Sequence, residues 1–431
     1  MNAPEIIAPW AGRIFSNGWR VAKGGASPVK EPATGNTLGS IGIANAEDID
    51  VAVTSAANAQ PAWAALTFDK RAEIVRTAAA LLRERAAESI MWNTRECGSI
   101  QPKGEWEVGI TYEQMMQAAG LAGLPNGAMF PSNVPGRTNL QRRVPMGVVG
   151  VIAPWNFPLF LSMRSVAPAL VLGNAVILKP DVHSAVTGGA LLAALFEDAG
   201  LPAGVLHVLA AATGEALVRH PGVDMISFTG STAVGREIGE YCGRKLKKTT
   251  LELGGNNAII VLPDADLDGA ASCAAWASFL HQGQICMSAG RHLVHRSVAH
   301  AYAAKLTERA RKLHVADPNG GPCHLGPLIN QRQTDRVHKI VSDTVAAGAQ
   351  LLTGGTHQGN LYQPTVLLDV KPEMPAFSLE IFGPVAPITV FDTDEEAIAL
   401  VNSSEYGLAA AIHTASIPRA LHIAEKIRTG M

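Results

Sequence analysis

The sequence predicts an α/β protein built on a doubly wound parallel sheet, and three observations lead to it. From Val148 onward, short apolar runs recur without polar alternation, as strands covered on both faces require. Helix-length segments separate the runs, and polar residues gather where the runs end. The runs are 148–153, 174–178, 204–209, 225–228 and 249–253, with helices expected near 159–172, 184–199, 214–220 and 231–242. Five strands joined by four crossovers form such a sheet, which binds ligands at the carboxyl ends of its strands. Asn156, Lys179, residues 229–231 and Glu252 stand there.

A second α/β unit is expected from Asn257: strand 258–262, helix 264–280, strand 291–295, helix 299–313, and further strands at 350–352, 365–367, 386–391 and 408–412. The first third reads mostly as helices. Asn45 with Asp48 three residues on opens one through Ala65, and Thr67 with Asp69 opens another through Arg85. Residues 125–137 form an irregular connection into a strand at 138–144. No internal repeat or low-complexity tract interrupts this order.

At 431 residues the chain is long enough for two to three domains. Lys and Arg total 35 against 37 Asp and Glu, a net charge of -2, so no field attracts nucleic acid or an anionic membrane. The basic cluster Arg244, Lys245, Lys247 and Lys248 reads as a solvated helix end. The longest apolar stretch, 148–178, is cut by Pro154, Asn156, Pro158, Arg164 and Pro168 and cannot span a membrane. Cys97, Cys242, Cys273, Cys286 and Cys323 form no C-x-x-C pair, which argues against a disulfide framework or structural zinc and for a reducing compartment. Glu5 precedes any Lys or Arg and there is no apolar core ending in small residues, so no signal peptide is expected and the expected location is cytoplasmic.

Residues 230–235 lie where a strand meets a helix, with Ser231 as the expected N-cap. Its amides and dipole suit a phosphate, although any βα turn favours Gly and Ser, and G-x-G-x-x-G is missing. Cys286 lies in a polar, Gly-bearing stretch, 282–288. It is either a small core residue or a nucleophile activated by backbone amides, a cofactor or a distant base. Glu252 in its apolar setting is either structurally paired or a general base. Asn156, stiffened by Pro154 and Pro158, is a helix cap or an oxyanion donor. Glu380 could be a surface charge at a turn. No H-E-x-x-H occurs, and His292 and His295 fall on opposite faces of a strand, so no metal site is expected.

In this order and spacing, the blocks at 154–158, 178–180, 228–231, 251–255, 283–288 and 380–384 resemble the NAD(P)-dependent aldehyde dehydrogenase superfamily, from Pro32 to the last residue. Within it the chain is most similar to the benzaldehyde-oxidising branch, across 95–104, 148–180 and 279–295. The resemblance implies a dinucleotide-binding domain (1–126 and 146–254), a β-strand oligomerisation arm (127–145) and a catalytic domain (255–431), in a homodimer or homotetramer. It implies Cys286 as nucleophile, Glu252 as general base and Asn156 as oxyanion donor. It sets Lys179 at the adenosine ribose, Gly230 and Ser231 by the pyrophosphate, and Glu380 at the nicotinamide ribose. Ile152, Trp155, Phe228, Gly235, Leu253 and Phe382 would lie along the cofactor. Phe157, Phe160, Leu161, Leu280, Ile285 and Met287 are apolar pocket positions suited to an aryl or alkyl group. Arg164 stands where many relatives have Trp, either in an ion pair or against a polar substituent.

The chain departs from the pattern in places. NAD-preferring relatives often carry Glu where this chain has Val182, with Asp181 just before it, so NAD with NADP as a possible substitute is expected. Residues 209–215 lack the fuller Gly-rich loop. The family continues past Met431, and the Gly430 that follows a helix would turn into a next strand, so the catalytic domain and the arm's partner strand are expected to be incomplete. CoA-acylating relatives generally lack the general-base Glu, which makes water the expected acyl acceptor. A crystallin-like structural role is disfavoured by Cys286, Glu252 and Asn156 occurring together. A Cys-His hydrolase would use His281, but a doubly wound domain lends it no support.

Overall fold

The computed structural model describes residues 10–431. The leader reading rests on Glu5, outside the described residues, as does the start of the expected first domain. The chain divides into two compact units. One takes the residues up to Lys30 together with Asn36–Cys97 and Gly104–Glu252; the other takes Glu31–Gly35, Gly98–Lys103 and Leu253–Met431.

In the first unit, β1 (Arg13–Ser16), β2 (Trp19–Val21), β3 (Ala26–Lys30) and β4 (Thr37–Gly42) precede α1 (Ala46–Ala65), α2 (Phe68–Glu84), α3 (Ala86–Cys97) and α4 (Gln101–Leu121). A hairpin, β5 (Gly127–Phe130) and β6 (Asn139–Arg142), leads into β7 (Val148–Ile152), α5 (Pro158–Val171), β8 (Ala175–Lys179), α6 (Leu191–Asp198) and β9 (Leu206–Val208). After these come α7 (Glu215–Arg219), β10 (Met225–Thr229), α8 (Thr232–Lys245) and β11 (Lys248–Glu252). The main sheet runs β11-β10-β7-β8-β9-β1-β2. Strands β7 to β11 pair in parallel, while β1 is antiparallel to both β9 and β2. The chain moves outward from β7 through β8 and β9, then resumes on the other side at β10. The crevice at that reversal lies at the carboxyl ends of β7 and β10.

Burial explains the pattern read from sequence. Every residue of β7 and β8 is buried, whereas edge strand β11 alternates and leaves Glu252 exposed. One core joins α2, α5 and α6 to Val149, Val151, Val176 and Leu178. The capping box of α1 forms as its spacing predicts, with Asn45 and Asp48 bonded reciprocally.

Several local expectations need correction. The first third contributes strands β1 to β6 besides its helices: β1 pairs with β2, β3 with β4 and β5 with β6 as local hairpins, and β1 also joins the main sheet through distant β9 (Phe15 opposite Val208). The helix expected over 184–199 opens with a 3-10 turn, Val182–Ser184, and a π-helical turn, Val186–Ala190, before α6. Part of the supposed irregular stretch 125–137 is β5, paired with β6 from Gly127 opposite Arg142 to Phe130 opposite Asn139. The basic cluster is not wholly solvated: the Lys247 ammonium donates to the carbonyls of Val218 and His220, both at 2.8 Å.

The second unit contains β12 (Asn257–Val261), α9 (Leu267–Phe279), β13 (Ala289–His295), α10 (Ala299–Arg311), α11 (Gln331–Ala346), β14 (Gln350–Thr353), β15 (His357–Gln358) and β16 (Leu361–Tyr362). It continues with β17 (Thr365–Leu368), α12 (Pro375–Ser378), β18 (Val385–Phe391), α13 (Asp394–Asn402), β19 (Ala410–His413) and α14 (Ile417–Ala424). Its sheet runs β14-β17-β18-β13-β12-β19, parallel except for β14. Separate apolar clusters form around α9 with α10 and around α11 with α13. Helix α11 was absent from the sequence reading, although buried Val337, Ile340, Val341 and Thr344 recur at helical spacing.

Buried His292 bonds Ser278 and Tyr302, and His295 bonds Ser297 and the Asp392 carbonyl. Among the described residues no group of three His, Cys, Asp or Glu could hold a metal ion. No disulfide joins the five cysteines, and no described helix is long and apolar enough to cross a membrane.

Candidate active site

Asn156 follows β7 and is buried, next to Phe157, the N-cap of α5. Pro158 opens that helix, where a missing N–H loses nothing. The next two amides need acceptors, and buried Glu107 on α4 supplies them: Leu159 N donates at 2.8 Å and Phe160 N at 3.2 Å. Asn93 on α3 donates to the other Glu107 oxygen at 2.6 Å. The loop carrying Trp155, Asn156 and Phe157 is thus fixed through a carboxylate about fifty residues upstream, which no motif revealed. Phe157, Phe160, Leu161 and Arg164 recur at helical spacing on one face of α5; the first and third are buried and the others half-buried. Trp106 on α4, missed from sequence, meets the Phe157 ring edge-on at 5.7 Å.

Lys179 ends β8, and burial holds its ammonium below the ordinary range. Asp181 accepts from the His183 backbone at 2.9 Å and lies 2.8 Å from its ring Nδ1. Ser231 has the extended backbone of an N-cap, but its side chain makes no capping bond, so the cap expectation holds for the backbone alone. Thr232 Oγ1 is buried without a hydrogen-bond partner among the described residues. First-turn amides without intrahelical acceptors and an orphaned hydroxyl together fit an anionic group such as a dinucleotide pyrophosphate. Gly230 N donates to the Glu252 carbonyl at 3.0 Å, and Gly235 N closes the first turn of α8 on Ser231. Ile152 and Phe228 are buried near the ends of adjacent strands β7 and β10, where they lie opposite each other.

Glu252 terminates β11. Its Oε2 lies 3.0 Å from Arg164 Nη2, with the two side chains 51% and 33% exposed. The structure therefore pairs Glu252 and gives Arg164 an ionic partner.

In the second unit Cys286 is half-buried, between Ile285, also half-buried, and exposed Met287. The chain reaches it from Leu280, which caps α9, through three consecutive left-handed residues: His281 at φ 49°, Gln282 at 57° and Gly283 at 68°. Side chains hold that path. Gln282 Nε2 donates to the carbonyls of Gly98 (3.0 Å) and Pro327 (2.8 Å), and Ile329 N donates to Gln284 Oε1 at 3.0 Å. Asn257 Nδ2 donates to the carbonyls of Cys286 and Ser288, both at 2.8 Å. None of these supports was singled out from sequence; the two Gln flanking Gly283 were the only signal.

Glu380 accepts from Gly255 N at 3.0 Å, and burial pushes its carboxyl above the usual range. The segment after it is clamped by α11. Gln333 Nε2 donates to the Phe382 carbonyl at 2.7 Å and Arg336 Nη1 to that of Ile381 at 2.8 Å, while Phe382 holds a φ of 56°. Half-buried Leu253 also belongs to this unit.

Residues 19–431 match the model of the aldehyde dehydrogenase family. The chain is 65% identical to an NAD(+) benzaldehyde dehydrogenase of Pseudomonas putida, over 98% of this chain and 87% of that protein. It is 50% identical to a vanillin dehydrogenase of Amycolatopsis sp., with the same coverage of each. The crystal structure of an NAD-dependent benzaldehyde dehydrogenase from Corynebacterium glutamicum superposes with a TM-score of 0.93 at 38% identity, covering 99% of this chain and 92% of that one.

Proposed function

Since the chain belongs to the aldehyde dehydrogenase family, we propose that it oxidises an aromatic aldehyde to the carboxylic acid, with NAD as hydride acceptor and NADP as the possible substitute. The likeness to benzaldehyde and vanillin dehydrogenases supports the aryl substrate, as does the aromatic set Trp106, Phe157 and Phe160. The observation that carries the reading is the Cys286 loop, whose left-handed path is tied down by Gln282, Gln284 and Asn257.

The Cys286 thiolate attacks the aldehyde carbon, forming a C–S bond and an alkoxide that receives hydrogen bonds from the Asn156 amide and the Cys286 backbone N–H. Collapse of the alkoxide breaks the aldehyde C–H bond and leaves a thioester on Cys286, and a bound dinucleotide would accept the departing hydride. Lys179 and Glu380 would bind its two riboses, and Gly230 and Ser231 would meet the pyrophosphate. Ile152, Trp155, Phe228, Gly235, Leu253 and Phe382 would line its path. Glu252 then takes a proton from water as that water adds to the thioester, and departure of the thiolate releases the acid. Phe157, Phe160, Leu161, Leu280, Ile285 and Met287 receive the ring. The first domain binds dinucleotide and the second carries the nucleophile. The arm pairs with a second copy in a cytoplasmic homodimer or homotetramer, and Met129 and Leu140, 74% and 78% exposed, support that role for the hairpin.

Initial rates with aromatic and aliphatic aldehydes, each with NAD and with NADP, test the proposal. Benzaldehyde should exceed acetaldehyde in kcat/KM, the product should be acid and not acyl-CoA when CoA is supplied, and Cys286→Ala should be inactive. Turnover that survives alkylation of Cys286 would overturn it.

A further inference from the structure

We infer that Arg164 is a positioning residue for Glu252, holding the carboxylate in the orientation from which it directs water onto the acylated enzyme. This rests on the reading of Glu252 as the base. The contact joins Arg164 Nη2 to Glu252 Oε2 at 3.0 Å. The carboxylate is thereby anchored through Oε2.

The neighbouring polar contacts fix where that guanidinium starts. Ser165 Oγ lies 2.9 Å from Ser227 Oγ on β10, and Thr250 Oγ1 on β11 donates to the same Ser227 oxygen at 3.1 Å. Thr250 and Glu252, two residues apart, project from one face of β11. Helix α5 is therefore stitched to β10 and β11 at Ser165, and the adjacent Arg164 crosses to the end of the edge strand. The same helix is capped by Phe157, the neighbour of Asn156, so one rigid element bears on both the oxyanion donor and the base.

Folding does not require the pair. At 33% and 51% exposure, water screens it and its contribution to stability is small. Orientation is a different matter, because Glu252 sits at the end of an exposed edge strand, and its contact with Arg164 limits where its carboxylate points. Loss of Arg164 should slow hydrolysis of the acyl-enzyme and spare its formation, since Cys286 attack and hydride loss do not use Glu252.

The test measures each step separately. Enzyme benzoylated at Cys286 by p-nitrophenyl benzoate is followed by mass spectrometry as the benzoyl group leaves, and the burst of reduced cofactor with benzaldehyde and NAD is recorded by rapid mixing. Arg164→Gln should slow benzoyl loss about tenfold or more while the burst rate stays within about twofold. Arg164→Lys should recover part of the loss, and hydroxylamine, which attacks the thioester directly, should abolish the difference between variant and wild type. In a double-mutant cycle with Glu252→Asp, the two changes should combine to less than their product. Equal slowing of the burst and of benzoyl loss, or benzoyl loss at the wild-type rate, would overturn the inference. A wild-type enzyme that neither reduces NAD with benzaldehyde nor accepts the benzoyl group at Cys286 would instead overturn the proposed function.

Discussion

The backbone amide of Gly255 donates to the Glu380 carboxylate at 3.0 Å, and a methyl group built on neighbouring Gly254 would run into that carboxylate. Glu380 is thus held by the turn that follows β11 and has no room to shift toward it. Gly254→Ala should displace the carboxylate, and Glu380→Gln should weaken its hold on a ribose hydroxyl. Each is expected to raise the NAD dissociation constant about tenfold, the equivalent of one lost hydrogen bond, as read by calorimetric titration. Unchanged affinity in both variants would remove Glu380 from the cofactor site.

Glu107 links fold and chemistry through the amides of Leu159 and Phe160. Glu107→Ala leaves both without an acceptor at a buried helix start, which should cost about 2–4 kcal/mol in urea unfolding. Activity should fall further than Glu107→Gln, which keeps one acceptor oxygen. Asn156→Ala tests the donor itself and should lower kcat by roughly 10²–10³.

Gln282 and Gly283 hold the approach to Cys286. Gly283→Ala adds a methyl at a left-handed φ of 68° that would strike the Gly383 carbonyl, and should lower the melting temperature and abolish turnover. Gln282→Leu leaves the carbonyls of Gly98 and Pro327 without this donor. A loss of about 2 kcal/mol is expected, with a changed rate of Cys286 alkylation by iodoacetamide. An unchanged alkylation rate would mean that the clamp does not set the thiol's position.

Burial pushes the carboxyl of Glu96 from 4.5 up to about 7, although Val186 N, Thr187 N and Thr187 Oγ1 all donate to it. A carboxyl that binds its proton more tightly when folded favours the folded state in acid. Its contribution is complete below about pH 4.5 and is lost as pH rises through about 7. Glu96→Gln carries no proton to lose. The unfolding free energy of wild type relative to Glu96→Gln should therefore fall by about 3 kcal/mol between pH 4.5 and 8, measured in urea at a series of pH values. A flat difference would contradict the effect of burial.

Much of the architecture was legible because its signals are local. Strands β7 and β8 are buried on both faces, so every residue in them is apolar or sits at an end, and expected and observed bounds agree within a residue. The capping box at Asn45 spans three residues. The blocks that carry the family resemblance are short stretches whose order alone is informative. Helix α11 was equally legible by its period but was not read.

What lies beyond a few residues was decided elsewhere. Strand β1 joins the main sheet because Phe15 pairs with Val208, and the Asn156 loop is fixed by Glu107. The Cys286 loop is tied by Gln282 to Pro327, and Glu252 is met by Arg164. Residue types and their spacing determined the α/β class, the strand ends and the family. Only tertiary packing decided which buried donor meets which acceptor, because a hydrogen bond or ion pair is selected by distance in space, and separation along the chain carries no information about it.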